Sequence, residues 1–298
     1  MCSCWCHEPA PWTAARSCLE KSSQLNYRYF LLRLIRHLIP EGVARFLLKR
    51  RWIIRPGLES SDPLAAVEQY ISTLSAYHRS IRGKRVLVFG YGGRFAVGVE
   101  LLRRGAAHVI LCDHYVLFDR ERNLELLPQY SDYLTAESMD VKPRPAYISL
   151  LHGDIRDADV QAQISAVDLV LSTSVFEHLD DVRGITQALA KMTAPEGAQL
   201  HFVDLRDHYF KYPFEMLTFS GNVWRKFLNP TSNLNRFRLP DYRKVFIESF
   251  QRTDITVTGR QEMDFQATRS RIRPEFLSGD LSVDSATLIQ VYVESPRI

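Results

Sequence analysis

Gly90-Tyr91-Gly92-Gly93 and Asp113 carry the clearest chemical signal in this chain of 298 residues. The glycines directly follow a short apolar run at 85–89 and precede a helical stretch at about 95–104. Glycines so placed permit a tight turn, let a ligand approach the backbone, and present the free amides of a helix N-terminus to it. Asp113 ends a second apolar run, 108–112. A carboxylate at that point can accept hydrogen bonds from both hydroxyls of a ribose. Either half alone is a weak signal. In the order strand, turn, helix, strand, acid, they predict a site for an adenosine-bearing ligand.

Which ligand depends on the residues further on. A dinucleotide fingerprint asks for glycine or alanine three positions after Gly92, where this chain has Phe95. A bulky residue there disfavours close packing of a pyrophosphate on the helix. His152-Gly153-Asp154-Ile155 follows a third apolar run, and Asp168 opens a fourth that leads into Ser172-Thr-Ser-Val-Phe-Glu-His-Leu179. In order and spacing, these segments with 86–93 and Asp113 resemble the sequence blocks of class I S-adenosylmethionine (SAM)-dependent methyltransferases. The resemblance spans roughly residues 82–293. It implies that Gly90 and Gly92 face the methionine part of SAM, Asp113 the ribose and Asp154 the adenine amino group, with Ser172 and the residues after it as the floor. The chain departs from the family at Val88, often acidic there, and at Arg94, often a third glycine. Both lie at the methionine end.

Methyl transfer depends on alignment of acceptor, methyl and sulfur, and a hydroxyl acceptor usually needs a base as well. In an open α/β sheet such groups stand at the carboxyl ends of the strands. The fifth run ends in Asp204-Leu-Arg-Asp-His208-Tyr209, a dense set of ionisable groups. His208 is the expected base and Asp204 its orienter. Asp207 as a helix cap, with His208 packed on Tyr209, is the purely structural alternative. Glu177-His178 competes for the catalytic role; the resemblance points to a structural or cofactor-side part, so it ranks below His208. No metal site is expected. Cys2-x-Cys4-x-Cys6-His7 has the right chemistry for one but lacks a second paired half.

The elements that must position these residues are legible in outline. Short β-branched runs at 85–89, 108–112, 147–151, 168–172, 200–203, 254–258 and 287–293 alternate for most of the chain with helical stretches. They predict an α/β fold: a doubly wound, mostly parallel seven-stranded sheet of the Rossmann-like methyltransferase kind. Before it, 25–39 has helical periodicity, with Tyr27, Phe30, Leu31, Leu34, Ile35 and Leu38 on an inward face and Arg28, Arg33 and Arg36 largely elsewhere. Residues 41–51 resume a shorter helix. Asp62-Pro63 starts another, expected to run to about Ile81. The expected organisation is a disordered tail at 1–24, a helical extension or cap at 25–81, and a SAM-binding domain at 82–298. Within that domain, 205–242 is an acceptor-side insertion rich in aromatic and basic residues, read equally as a lid or as a helical hairpin with its own core. The long stretch 115–145 offers a second wall.

Composition narrows the function. Hydrophobic residues make up 46% and charged residues 24%, with a net charge of +4, too mild to argue for nucleic acid as partner. Four of five cysteines lie before residue 19, which argues for a reducing, cytoplasmic setting rather than a disulfide-stapled secreted domain. Residues 25–55 are basic and amphipathic. A cap over the site is favoured for them, with peripheral membrane contact and dimer contact as alternatives. The oligomeric state is left open. The expected activity is SAM-dependent methyl transfer to a small-molecule or glycan-like acceptor, O-methylation slightly favoured over N-methylation. The alternatives are an NAD(P)-dependent oxidoreductase and a non-catalytic SAM-binding regulatory or scaffold subunit.

Overall fold

The structure is a computed structural model and describes residues 26–38, 43, 62–114, 118–137, 140–208, 211–229 and 234–297. The tail 1–24, the helix expected at 41–51 and most of the basic stretch after Leu38 lie outside those residues.

Helix α1 (Tyr27–Leu38) comes first, then α2 (Pro63–Ala76), begun by the Asp62 side chain accepting from the Ala65 amide with Pro63 in the first turn. α2 stops short of the expected Ile81. His78 takes a left-handed φ of 57°, and the Arg79 amide donates back to the Leu74 carbonyl at 2.9 Å, which closes the helix in a Schellman-type turn. Arg79 then reaches across to Glu294 at 2.8 Å, tying that turn to the sheet.

β1 (Arg85–Phe89), α3 (Ala96–Arg103) and β2 (His108–Asp113) form the first βαβ unit. Beyond them a hairpin that the sequence did not signal, β3 (Leu134–Glu137) and β4 (Asp140–Pro143), stands apart from the main sheet. β5 (Ile148–His152), β6 (Val167–Thr173), α4 (Val182–Met192) and β7 (Thr193–Asp204) continue the alternation. α5 (Leu239–Ser249), β8 (Phe250–Arg260) and β9 (Ala286–Pro296) complete it. The main sheet has seven strands in the order β5-β2-β1-β6-β7-β9-β8. β9 runs antiparallel to both of its neighbours, and the other neighbouring pairs are parallel. The expected mostly parallel seven-stranded sheet is the one observed.

Strand alternation splits the core into two layers. Val86, Val88, Val109 and Leu111 point to the side covered by α2 and α3; Leu87, Phe89, Ile110 and Cys112 point to the side covered by α4 and α5. The order of strands reverses between β1 and β6, so the carboxyl ends of β1, β2, β6 and β7 open onto one crevice.

A third apolar cluster joins α1 to the segment after β7: Tyr29, Phe214, Phe219, Trp224 and Leu228 are its buried members. The face of α1 that does this is not the one expected. Tyr29 and Arg33 are buried, whereas Tyr27, Leu31, Ile35 and Leu38 are exposed among the described residues. The cause is a polar anchor. The buried Asp207 carboxylate takes hydrogen bonds from the Tyr29 hydroxyl and from Arg33, whose guanidinium also lies 4.8 Å from the Trp224 ring centroid. A buried charge needs its partner, and this one overrides the apolar row.

Candidate active site

The glycine turn is built as its sequence implies. Gly90, Gly92 and Gly93 have φ of 83°, 68° and 82°, conformations that side chains rarely adopt. A Cβ on Gly90 would stand 2.3 Å from a methyl of Val175, so the turn rests directly on the residues that follow β6. On Gly92 nothing lies within 4 Å of that position, and its amide donates to Asp113 at 2.9 Å. Asp113 is half-buried at the end of β2. An open, backbone-lined turn beside a strand-end carboxylate fits a nucleoside whose ribose meets Asp113.

Asn123, on the 115–145 stretch, holds this turn from behind. Its side chain accepts from the Phe95 amide at 2.9 Å and donates to the Gly93 carbonyl at 3.0 Å. The amide of Phe95, the residue that precedes α3, is therefore spent within the protein, and Phe95 is buried. Val88, where the family often carries an acid, is buried in the sheet. Tyr91 completes the wall, its hydroxyl 2.8 Å from His152 Nε2; burial, and then the charge of Asp113, push that hydroxyl well above its ordinary range.

Asp154 lies just past β5 and is gripped by Arg156: backbone amide at 2.9 Å, Nε at 2.9 Å, Nη2 at 2.5 Å. Hydrogen bonding from Arg156 holds its carboxyl down at about 2. The same Asp-x-Arg fork recurs after β7. Asp204 takes the Arg206 amide at 2.9 Å, its Nε at 2.9 Å and its Nη2 at 2.6 Å. Asp204 is thus held by Arg206, because a carboxylate two residues before an arginine closes a local fork. Ser172 is fully buried, and its hydroxyl is bonded to His201 Nδ1 at 2.8 Å.

The acceptor side brings together two sets of residues that look like rivals in the sequence. His178 and His208 stack edge to face, ring centroids 4.7 Å apart. Glu177 joins them, and one ligand-type atom from each of the three lies within 4.8 Å of the others. Glu177 is buried, with the Ser174 hydroxyl and the backbone amides of Glu177 and Asp204 near its carboxylate but none in a well-formed hydrogen bond. Burial pushes its carboxyl up to about 8, with the charge of Asp204 adding to the effect. Ser174, at the strand end just before this group, has a φ of 55°, a strained conformation of the kind held at functional sites.

Asn235 fixes the turn that carries Glu177 and His178. Its amide donates to the Glu177 carbonyl at 2.9 Å, and its side chain donates to the carbonyls of Phe176 at 2.7 Å and Leu179 at 3.1 Å. Asn123, Asn235 and the Tyr29–Arg33–Asp207 anchor escape sequence reasoning because each acts on partners far away in the chain. The open cavity of about 490 Å³ formed by Phe95, Phe118, the β4 residues and Ile148–Leu150 lies at the sheet edge, not among these groups.

Comparisons with known proteins bear on the family. A sequence model described as a methyltransferase domain matches residues 121–200, from the short helix after β2 into β7. A search of curated proteins finds no match. Among solved structures the chain is similar to one assigned as a sarcosine dimethylglycine methyltransferase from Galdieria sulphuraria, at 15% identity over 85% of this chain and 97% of that one, TM-score 0.50. It is also similar to an O-methyltransferase family protein from Burkholderia thailandensis, at 14% identity over 96% of this chain and 69% of that one, TM-score 0.48. A third, phosphoethanolamine N-methyltransferase 2 from Haemonchus contortus in complex with SAM, shows 13% identity over 77% of this chain and 53% of that one, TM-score 0.46. At such identities structural likeness speaks to the fold alone. The matched methyltransferase domain covers residues 121–200, and the sheet order and open glycine turn agree with a Rossmann-like methyltransferase fold.

Proposed function

We propose that this chain is a class I SAM-dependent methyltransferase that methylates an oxygen of a small-molecule or glycan-like acceptor held at the ends of β6 and β7. The observation that carries this reading is the Glu177–His178–His208 group beside the glycine turn. An amine need only arrive neutral, whereas a hydroxyl needs help in losing its proton. A histidine pair at that spot is suited to an oxygen.

In this reading the turn at Gly90 and Gly92 takes the methionine end, Asp113 the ribose, and Asp154 the adenine amino group. Arg156 already keeps the Asp154 carboxylate ionised and aimed, leaving oxygen lone pairs for a further donor. SAM supplies a methyl group already activated on a sulfonium. The protein's own part is alignment and exclusion of water, and alignment alone can supply roughly 7–11 kcal/mol of the barrier. His208 acts on the acceptor. Asp204 keeps Arg206 folded back at the strand end. Residues 25–81 serve as a cap, with α1 fixed through Asp207 to the backbone that carries His208, and 205–242 form the acceptor-side wall.

Substitution separates these roles. His208→Ala is expected to lower kcat by about 10²–10⁴-fold while leaving SAM affinity unchanged, the range for losing a group that handles the acceptor proton. A labelled-methyl assay across hydroxylated and aminated acceptors reads both kcat and the atom methylated. Unchanged turnover in His208→Ala, or product methylated only at nitrogen, contradicts the reading.

A further inference from the structure

Glu177 raises a question that proton transfer by His208 does not answer. Its carboxylate is buried, has no well-formed hydrogen bond although the Ser174 hydroxyl and the amides of Glu177 and Asp204 are near it, and offers an oxygen within 4.8 Å of a nitrogen of each of two imidazoles. Buried polar groups in folded proteins are nearly always well hydrogen-bonded, so a buried carboxylate in this state points to a further partner. Burying a carboxylate with no compensating group is costly, and a coordinated cation is one of the few partners that offsets it.

We propose that Glu177, His178 and His208 hold a divalent cation whose open coordination positions take an oxygen of the methyl acceptor. The inference rests on the reading that the acceptor sits at this group, and it names how the acceptor is bound. Two imidazoles and one carboxylate select the zinc, manganese, cobalt and iron(II) class rather than magnesium or calcium, which prefer all-oxygen shells. Three protein ligands leave positions for solvent or substrate, the pattern of a catalytic rather than a structural site.

The site is preformed at the backbone. Asn235 clamps the turn of Glu177 and His178 through three hydrogen bonds. Asp207, next to His208, is anchored in the α1 cluster by Tyr29 and Arg33. The imidazoles are half-buried, and the glycine turn rests on Val175, two residues before Glu177.

The chemistry follows from the charge. A hydroxyl coordinated to such an ion loses its proton to solvent near neutral pH, far below its free pKa. The resulting oxygen forms the new bond to the methyl carbon as the carbon–sulfur bond breaks, and that electron pair stays on sulfur, neutralising the sulfonium. The net change is R–OH plus SAM giving R–OCH3, S-adenosylhomocysteine and one proton. His178 and His208 are then ligands, and the oxygen acceptor is selected because it binds the ion.

Cobalt(II) is the probe. The full-length protein, cleared of metal by a chelator, is titrated with Co2+ in the absence of acceptor. One ion per chain is expected, with the visible absorption of nitrogen and oxygen ligation. Removing partners that merely orient ligands costs about 10–100-fold in metal affinity, so loss of a ligand in His208→Ala should cost at least about 100-fold. S-adenosylhomocysteine affinity should not change. Glu177→Gln is the second variant, and the half-exposed His208 keeps the test valid if that buried substitution prevents folding. Cys2, Cys4, Cys6 and Cys18 could also capture Co2+, but through thiolates, with intense near-ultraviolet charge-transfer bands that His208→Ala would leave intact. No binding at millimolar Co2+, or binding that is thiolate-only and survives His208→Ala, overturns the proposal. Methyl transfer that depends on His208 yet persists in chelator overturns it too, while leaving His208 as a base at the same acceptor site.

Discussion

His201 illustrates how far burial alone can set chemistry. It is fully buried between Phe176 and Phe246, bonded to Ser172 and to Gln199, and burial pushes its imidazole down from 6.5 to about 3. The folded protein keeps it neutral in that window, while the unfolded chain takes up a proton. Stability should therefore rise with pH between about 3 and 6.5, by at most about 1.4 kcal/mol per pH unit from this one group. Urea unfolding at several pH values, repeated on His201→Gln, reads the effect. The variant is expected to be less stable at neutral pH and to lose part of the acid slope. An identical slope in both proteins contradicts the assignment. At this scale the sequence pointed to residues that the fold places at a glycine turn and at or just past strand ends: Gly90, Gly92, Asp113 and Asp154. It gave no sign of the partners of Ser172 and Asp204, which are decided by which face of a strand they occupy and by an arginine two places on.

Elements were legible where periodicity is strong and local. All seven strands of the main sheet announce themselves as short apolar or β-branched runs, and those buried on both faces, as β1, β2 and β6 are, have little choice of residue. The hairpin β3–β4 does not, since its four-residue strands are largely exposed and carry no run to detect. α1 was found, but with its inward face misjudged, because Asp207 lies 174 residues beyond the arginine that it captures. That anchor makes a prediction at the same scale. Removing Arg33 leaves a buried carboxylate without its cation, a loss of about 3–5 kcal/mol in comparable pairs. Because α1 docks on a cluster of its own, the cost should appear as release of the helix rather than global unfolding. In Arg33→Ala, hydrogen exchange across residues 27–38 should quicken sharply while the strands stay protected. Unchanged protection of α1 would show that the apolar contacts hold it unaided.

The whole molecule is a doubly wound, mostly parallel sheet with its crevice furnished from both sides. The 115–145 stretch braces the glycine turn through Asn123, and the segment after β7 braces the acceptor side through Asn235 and Asp207. The fold was readable in the sequence because it depends on contiguous units of strand, turn and helix. The joining of Glu177 and His178 with His208 was not, since it exists only once β6 and β7 lie side by side. The central claim is that this crevice binds SAM through the Gly90–Gly92 turn and Asp113. Calorimetry with S-adenosylhomocysteine and NADH, on the native protein and on Asp113→Ala, tests it most directly. One molecule of S-adenosylhomocysteine should bind per chain and NADH should not. Loss of the charge-assisted bonds to ribose should weaken that binding by at least about thirtyfold, near 2 kcal/mol. Binding of NADH in place of S-adenosylhomocysteine, or equal affinity in the Asp113 variant, would contradict the account.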